Sequence, residues 1–379
     1  MDFELSDEQK DLINAARKFV KNEVIPQASK YDKEGEFPIE LIKKFYELGF
    51  MNLKIPQKYG GIGLSSVDQC LLLEEFGAGC AGIATSAMGN DLGLGPIIIA
   101  GTDEQKEKFL RPFTKELKFA SFALTEPDAG SDVSAISTTA KKEGNGYILN
   151  GNKTFITNAS YANLYTVFAT IDKSKGAKGL TAFIVPRDSK GISTGKKEDK
   201  MGQRASNTAS ISFEDVYVPE ENVLGGLGNG FKVAMATLDY SRPGIAAIGV
   251  GVARAALEYS IEYAKKRVQF GRPIAEFQAI KFKLADMAVE IEAARALTLR
   301  VAWLLDQGVK TTKESSMAKM FAGDVAMKCA IQAVQIYGGY GYTKEYPVEK
   351  LLRDAKLLQI YEGTNEIQRI VISKEILGG

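Results

Sequence analysis

The spacing of apolar residues changes character twice along this chain, and that limits the architectures open to it. Up to about residue 118 the period is helical. Ser6 with Gln9 forms a capping-box pattern, and Leu12, Ile13, Ala16, Phe19, Val20 and Val24 follow on one helical face. Phe37-Pro38 opens a second helix carrying Leu41, Ile42, Phe45 and Leu48 on one side, and Val67–Phe76 reads as a third. Thr102 with Gln105 repeats the capping box before Phe109 and Leu110. From Phe119 the pattern is that of short strands: Phe119–Leu124, Tyr147–Leu149, Thr154–Thr157, Leu164–Ile171, Leu180–Val185 and Ile211–Val218. Gly144-Asn145-Gly146 and Asn150-Gly151 read as turns. From Phe231 long Ala-rich helical stretches return, over 231–265, 275–306, 313–336 and 348–376.

The expected fold class is α+β and multidomain: a helical N-terminal domain over 1–118, a central antiparallel β-barrel over 119–228 and a C-terminal four-helix bundle over 229–379. Strands and helices do not alternate, which disfavours a doubly wound sheet.

Composition narrows the chemistry. The 379 residues include no histidine. That excludes a Ser-His-Asp triad, a Cys-His nucleophile pair, His-based metal sites and a histidine base. Cys70, Cys80 and Cys329 lie far apart with no CxxC, which disfavours a thiolate zinc site and a disulfide framework and fits a reducing cytoplasm. Forty-eight basic residues balance 47 acidic ones, so a nucleic-acid partner loses weight. The polar, acidic Met1–Lys10 is unlike a signal peptide, and the longest strongly apolar stretch, Pro96–Ala100, predicts no membrane span. Acid–base work is left to Asp, Glu, Lys, Tyr, a thiol or a cofactor.

Three motifs stand out. Gly225–Gly230 could pass for a dinucleotide loop, which would make the chain an NAD-linked dehydrogenase. No βαβ unit surrounds it, and a connector between barrel and bundle is the stronger reading. Thr125–Asp132 is a tight, hydroxyl-rich turn whose amides and hydroxyls could hold a polar ring edge or a phosphate; an ordinary turn is the competing reading. Ile360–Glu366 interrupts the last helical stretch. It places Glu362 between an aromatic residue and a glycine, where an apolar pocket would raise its pKa towards that of a usable base; a helix-cap carboxylate is the alternative.

Taken together these passages resemble the acyl-CoA dehydrogenase family over the whole chain. The resemblance rests on Phe122–Pro127 with Ala129–Asp132, on Arg267–Arg272, and on Gln335–Tyr342 followed by Glu345–Lys350, Arg353–Lys356 and Ile360–Thr364. It implies an FAD enzyme, usually a homotetramer built as a dimer of dimers. It also implies a CoA thioester substrate and an electron-transfer flavoprotein as acceptor. By the same resemblance Phe122, Leu124, Thr125, Gly130, Ser131, Phe155, Thr157, Thr364 and Glu366 would lie along FAD. Arg267, Gln269, Phe270, Gln278, Gln335 and Gly339 would reach it from a neighbouring subunit. Ser131, Asp239, Arg242, Tyr361 and Gly363 would touch the CoA thioester. Many relatives have Trp where this chain has Phe155.

The family's base stands at one of two positions. One is Glu362. The other is occupied here by Ser241, which cannot serve as a carboxylate, so the butyryl-like pattern is favoured. One departure is informative: many relatives read Asn-Ser-Leu-Gly where this chain reads Asn90-Asp91-Leu92-Gly93. Asp91 is either a cap or turn aspartate or a second acid–base group at the acyl end of the pocket. In the second case the chain looks like the subgroup acting on alicyclic esters such as cyclohex-1-ene-1-carboxyl-CoA, with Asp91 as a displaced base. The alternatives are ordinary short- or medium-chain dehydrogenation by Glu362 and a non-catalytic CoA-ester binder.

Overall fold

The computed structural model describes residues 4–378. Its first two helices, α1 (Asp7–Phe19) and α2 (Ile25–Glu34), form a rod joined by one π-helical turn over Val20–Val24. Both halves of the Ser6–Gln9 capping box are made. The helix α3 (Ile39–Glu47) buries Leu41, Ile42 and Phe45. Leu48 was expected on the same face, but the helix ends before it and Leu48 is exposed. Then come α4 (Ser66–Gly79), α5 (Ala81–Ala100) and α6 (Asp103–Lys115), the last with the Thr102–Gln105 box complete.

Sequence periodicity gave no sign of α5. It is rich in glycine and buried on nearly all sides, so it has no amphipathic period. Its glycines are there for backbone contact. A Cβ at Gly93 would lie 2.6 Å from the Ala120 carbonyl carbon, and one at Gly82 would lie 3.0 Å from Gln203. Asp91 lies inside this helix, which corrects the reading of a cap or turn aspartate. Among the described residues α5 and α7 (Gly230–Lys266) are both long and apolar enough to cross a membrane by composition, contrary to the sequence expectation. Both are mostly covered by the rest of the fold, with 67% and 72% of their apolar windows buried.

The middle of the chain forms one sheet from β1 (Ala120–Ala123), β2 (Thr139–Glu143), β3 (Gly146–Thr157), β4 (Leu164–Thr170), β5 (Leu180–Pro186), β6 (Ile192–Thr194), β7 (Thr208–Pro219) and β8 (Val223–Leu224). The order is β6-β7-β3-β2-β4-β5-β8, with β1 also on β4. The expectation of a wholly antiparallel barrel is corrected, since β1 and β2 both pair with β4 in parallel. Asn150-Gly151 is a bulge inside β3 instead of a turn. Gly151 has φ +150°, and a Cβ there would meet Thr138 Oγ1 at 2.4 Å.

Glycines 225, 226 and 228 take positive φ in the connector from β8 to α7. After α7 a short hairpin, β9 (Val268–Gln269) and β10 (Arg272–Pro273), leads into α8 (Gln278–Asp306) and α9 (Thr312–Tyr337). The fourth helical stretch is two helices, α10 (Val348–Leu358) and α11 (Asn365–Leu377), and Glu362 sits in the turn between them. α7 is the central rod, packed against α4, α5, α8 and α9.

Candidate active site

Four consecutive residues of α7, from Asp239 to Arg242, organise the candidate site. Ser241 Oγ donates to Glu362 Oε2 at 2.6 Å, and Arg242 Nε donates to the Glu362 carbonyl at 3.3 Å. Arg242 is almost fully buried and pairs with Asp239 at 2.9 Å, while Thr312 Oγ1 donates to the other Asp239 oxygen at 2.6 Å. Asp239, Arg242, Tyr361, Glu362 and Gly363 therefore meet at one place.

Glu362 is not a helix cap, because Thr364 caps α11 by accepting from the Ile367 N–H. Burial holds the Glu362 carboxyl above its ordinary pKa, against the opposing pull of Ser241, Arg242 and Lys319. Tyr361 packs against Gln203, whose amide reaches its hydroxyl at 3.5 Å and also accepts from Thr85 Oγ1.

The second carboxylate, Asp91 of α5, is held by α4. Gln69 Nε2 donates to Asp91 Oδ2 at 2.8 Å, and the backbone N–H groups of Leu53 and Lys54 favour its ionised form. Asp91 is buried, and desolvation pushes its carboxyl up to about 6 despite those bonds and the nearby Lys54 charge. The Lys54 ammonium donates to Ser66 Oγ at 2.9 Å and lies 4.9 Å from the Tyr240 ring centre. Burial raises the Tyr240 hydroxyl, and Asp91 raises it further. Tyr240 thus senses Asp91 while the next residue, Ser241, bonds Glu362. Gln69, Lys54 and Tyr240 carry no motif; only their approach in space connects them to Asp91.

Several of the residues that the family resemblance would set along FAD are tied together by hydrogen bonds. The Leu124 carbonyl accepts from Lys153 Nζ at 3.0 Å, the Thr125 carbonyl from Thr154 N at 2.9 Å, and the Thr157 carbonyl from Ser121 Oγ at 2.7 Å. Lys153 also pairs with Glu126 at 2.8 Å, both buried, and Glu126 accepts from the Ser137 and Thr138 amides. Burial alone would raise Glu126, but Lys153 and these donors outweigh it and hold the carboxyl at about 2. This pair, unmarked in the sequence, ties the Thr125–Asp132 turn to β3. A second bulge in β3 puts Phe155 at φ +56° with its ring 64% exposed. Gly130 and Ser131 are exposed, with open space where a Gly130 Cβ would point.

An exposed aromatic face beside hydroxyl and amide donors of no net charge fits the flat, uncharged ring system of FAD. Thr364 and Glu366 stand at the start of α11, close in sequence to Glu362.

Arg267, Gln269 and Gly339 line a separate cavity of about 500 Å³ with Tyr263, Ile336 and Tyr337. Phe270 stands at the hairpin tip, 94% exposed, with φ +52°. Gln278 starts α8 and Gln335 ends α9, both exposed. Among the described residues none of these six bonds to the Phe122–Ser131 group within the chain.

A three-part helix–sheet–helix fold with a buried carboxylate, Glu362, beside a buried arginine, Arg242, is the class that this fold and site define. Three family models cover most of the chain: acyl-CoA dehydrogenase N-terminal domain over 6–116, middle domain over 121–216 and C-terminal domain over 228–377. The chain is 48% identical to an acyl-CoA dehydrogenase of Bacillus subtilis over 99% of both chains. It is also 48% identical to a 3-(aryl)acrylate reductase of Clostridium sporogenes, over 98% of this chain and 99% of that one. Among solved structures, butyryl-CoA dehydrogenase from Megasphaera elsdenii superposes with a TM-score of 0.97 at 46% identity, covering 100% of each chain. The chain belongs to the acyl-CoA dehydrogenase family. It is an FAD-dependent oxidoreductase acting on acyl-CoA thioesters.

Proposed function

We propose that the substrate is a cyclic acyl-CoA such as cyclohex-1-ene-1-carboxyl-CoA, oxidised by 1,4-elimination to a cyclic diene. The observation that carries this reading is Asp91: a buried carboxylate, bonded by Gln69, pushed up to about 6 by desolvation and near enough to Tyr240 of α7 to raise its hydroxyl. Burying a charge is costly unless the group is used or neutralised, and a base with a pKa near the working pH transfers protons best.

In this scheme Asp91 takes the proton from C3 of the ring. The C3–H electrons become the C2=C3 bond, the former C1=C2 pair moves to C1=C6, and the hydride leaves C6. Bound FAD supplies the hydride acceptor. Asp239 and Arg242 hold the thioester end, with Ser131, Tyr361 and Gly363. Glu362 remains beside C1 as a spectator, its N–H available to the thioester oxygen where charge develops.

FAD is proposed to lie along Phe122, Leu124, Thr125, Gly130, Ser131, Phe155, Thr157, Thr364 and Glu366. Arg267, Gln269, Phe270, Gln278, Gln335 and Gly339, which face away within the chain, would complete the site of a neighbouring copy in a homotetramer. An electron-transfer flavoprotein is the proposed acceptor and the cytoplasm the proposed location. The three-domain division at 118/119 and 228/229 is kept with them as a proposal.

A second reading is favoured by the intact Ser241–Glu362 bond and by the butyryl-CoA and arylacrylate names among the relatives. In it Glu362 removes the α-proton of a short acyl-CoA and Asp91 only shapes the pocket. The deciding experiment assays Asp91→Asn and Glu362→Gln by flavin bleaching with butyryl-CoA and with cyclohex-1-ene-1-carboxyl-CoA. The proposal expects Asp91→Asn to abolish ring oxidation. If ring oxidation survives Asp91→Asn and is lost in Glu362→Gln, the second reading stands.

A further inference from the structure

The turn that carries Glu362 takes positive φ at two successive residues, +53° at Glu362 and +92° at Gly363, and the first of these is strained because glycine alone adopts that region freely. A non-glycine residue in the left-handed region persists only where its surroundings over-determine it. Here three side chains from three helices hold the two carbonyls. Arg242 and Gln368 donate to the Glu362 carbonyl, at 3.3 and 3.2 Å. Gln368 also donates to the Gly363 carbonyl at 2.8 Å, and Lys319 Nζ donates to it at 2.7 Å. Lys319 adds a bond to Asn365 Oδ1 at 3.1 Å.

Lys319 is 1% exposed and has no ion-pair partner among the described residues. A buried ammonium that serves peptide and amide oxygens is an expensive way to fill space, and Met would fill it at less cost. We propose that Lys319 is a positioning residue: its hydrogen bond to the Gly363 carbonyl fixes the peptide after Glu362, and so aims the Glu362 carboxylate and N–H at the thioester. This rests on the family reaction alone and stands whichever carboxylate takes the substrate proton.

The charge acts in the same direction as the geometry. Glu362 is faced by Ser241 and Arg242 from α7, with Asp239 behind Arg242, and by Tyr361 beside it in the turn. Lys319 faces it from α9, and Lys319 in turn feels Asp324 of α9 and Glu366 at the start of α11. Asp324 is occupied by Asn365, Gln359 and Arg369. Arg242 and Lys319 are thus the cations that favour the ionised Glu362.

The test uses FAD-loaded Lys319→Met and Lys319→Arg enzymes in single-turnover flavin bleaching by butyryl-CoA. Lys319→Met is expected to lower the saturating bleaching rate about 10- to 100-fold, because small misplacements of reacting groups cost that much. Its half-saturation concentration should change less than about threefold. The acid limb of rate against pH should move up by about one unit, since an opposite charge has been removed. The dissociation constant of S-butyl-CoA, a thioether without the carbonyl, should not change. Lys319→Arg should restore the acid limb and part of the rate. A folded, FAD-loaded Lys319→Met enzyme with wild-type rate and acid limb overturns the proposal. Should Lys319→Met fail to fold, Gln368→Leu carries the test. A roughly tenfold slower rate with an unmoved acid limb supports the clamp, and an unchanged rate overturns it.

Discussion

The hydroxyl of Ser241 donates to Glu362 Oε2 at 2.6 Å, so α7 supports the Glu362 carboxylate directly. The bond favours the ionised carboxylate, while burial favours the neutral one. Removing it in Ser241→Ala should raise the Glu362 pKa further. A base must be ionised to act, so the acid limb of kcat/KM for butyryl-CoA should move to higher pH, by about half a unit to one unit. The loss of rate should be larger at pH 6 than at pH 8. An unshifted pH profile would mean that the bond does not tune the base.

Asp91 should also be visible in stability. Its folded pKa, about 6, lies above the ordinary value of 3.8, because burial disfavours the ionised form. The native state is therefore stabilised relative to the unfolded one while Asp91 is protonated, and that advantage is lost as pH rises from about 4 through about 6. Asp91→Asn does not titrate. Its stability relative to wild type should improve across this window, by up to about 3 kcal/mol at pH 7.5 compared with pH 4. Urea denaturation of the two proteins at both pH values measures it.

Lys54 separates the two roles proposed for Asp91. Its charge favours the Asp91 anion although burial lowers the Lys54 pKa itself. Lys54→Met should raise the Asp91 pKa and move the acid limb for cyclohex-1-ene-1-carboxyl-CoA upward, with no such shift for butyryl-CoA. Equal profiles for both esters would leave Asp91 a structural group.

The flavin-side turn depends on a buried ion pair. Lys153→Met leaves Glu126 buried without its cation, and breaking such a pair costs about 3–5 kcal/mol. The variant should purify with less FAD per chain and a lower Tm. Lys153→Met combined with Glu126→Gln should recover much of the Tm, because the uncompensated charge is gone. FAD absorbance per protein and a thermal scan decide it.

The helix–strand–helix order, the two capping boxes, the family motifs and the candidate carboxylates Glu362 and Asp91 are all legible in the chain, because each is written in residues a few positions apart. Helical and strand periods repeat over 3.6 and 2 residues, and capping needs only Ser6 with Gln9 or Thr102 with Gln105. The glycine-rich α5 was not legible: burial on every side removes the periodic signal, and its glycines answer to partners such as Ala120 and Gln203. The bulge at Gly151 reads locally as a turn for the same reason, since only Thr138 on the neighbouring strand shows why glycine is required.

The absence of histidine leaves acid–base chemistry to Asp, Glu, Lys, Tyr, a thiol or a cofactor. What a carboxylate can do depends on its pKa, and that is set by desolvation and by groups distant in the chain. Asp91 meets Gln69, Leu53 and Lys54; Glu362 meets Ser241, Arg242 and Lys319. The sequence by itself determined which residue types could serve as base. Only the tertiary structure decided how each is held, because burial and long-range hydrogen bonds exist only once the chain has folded.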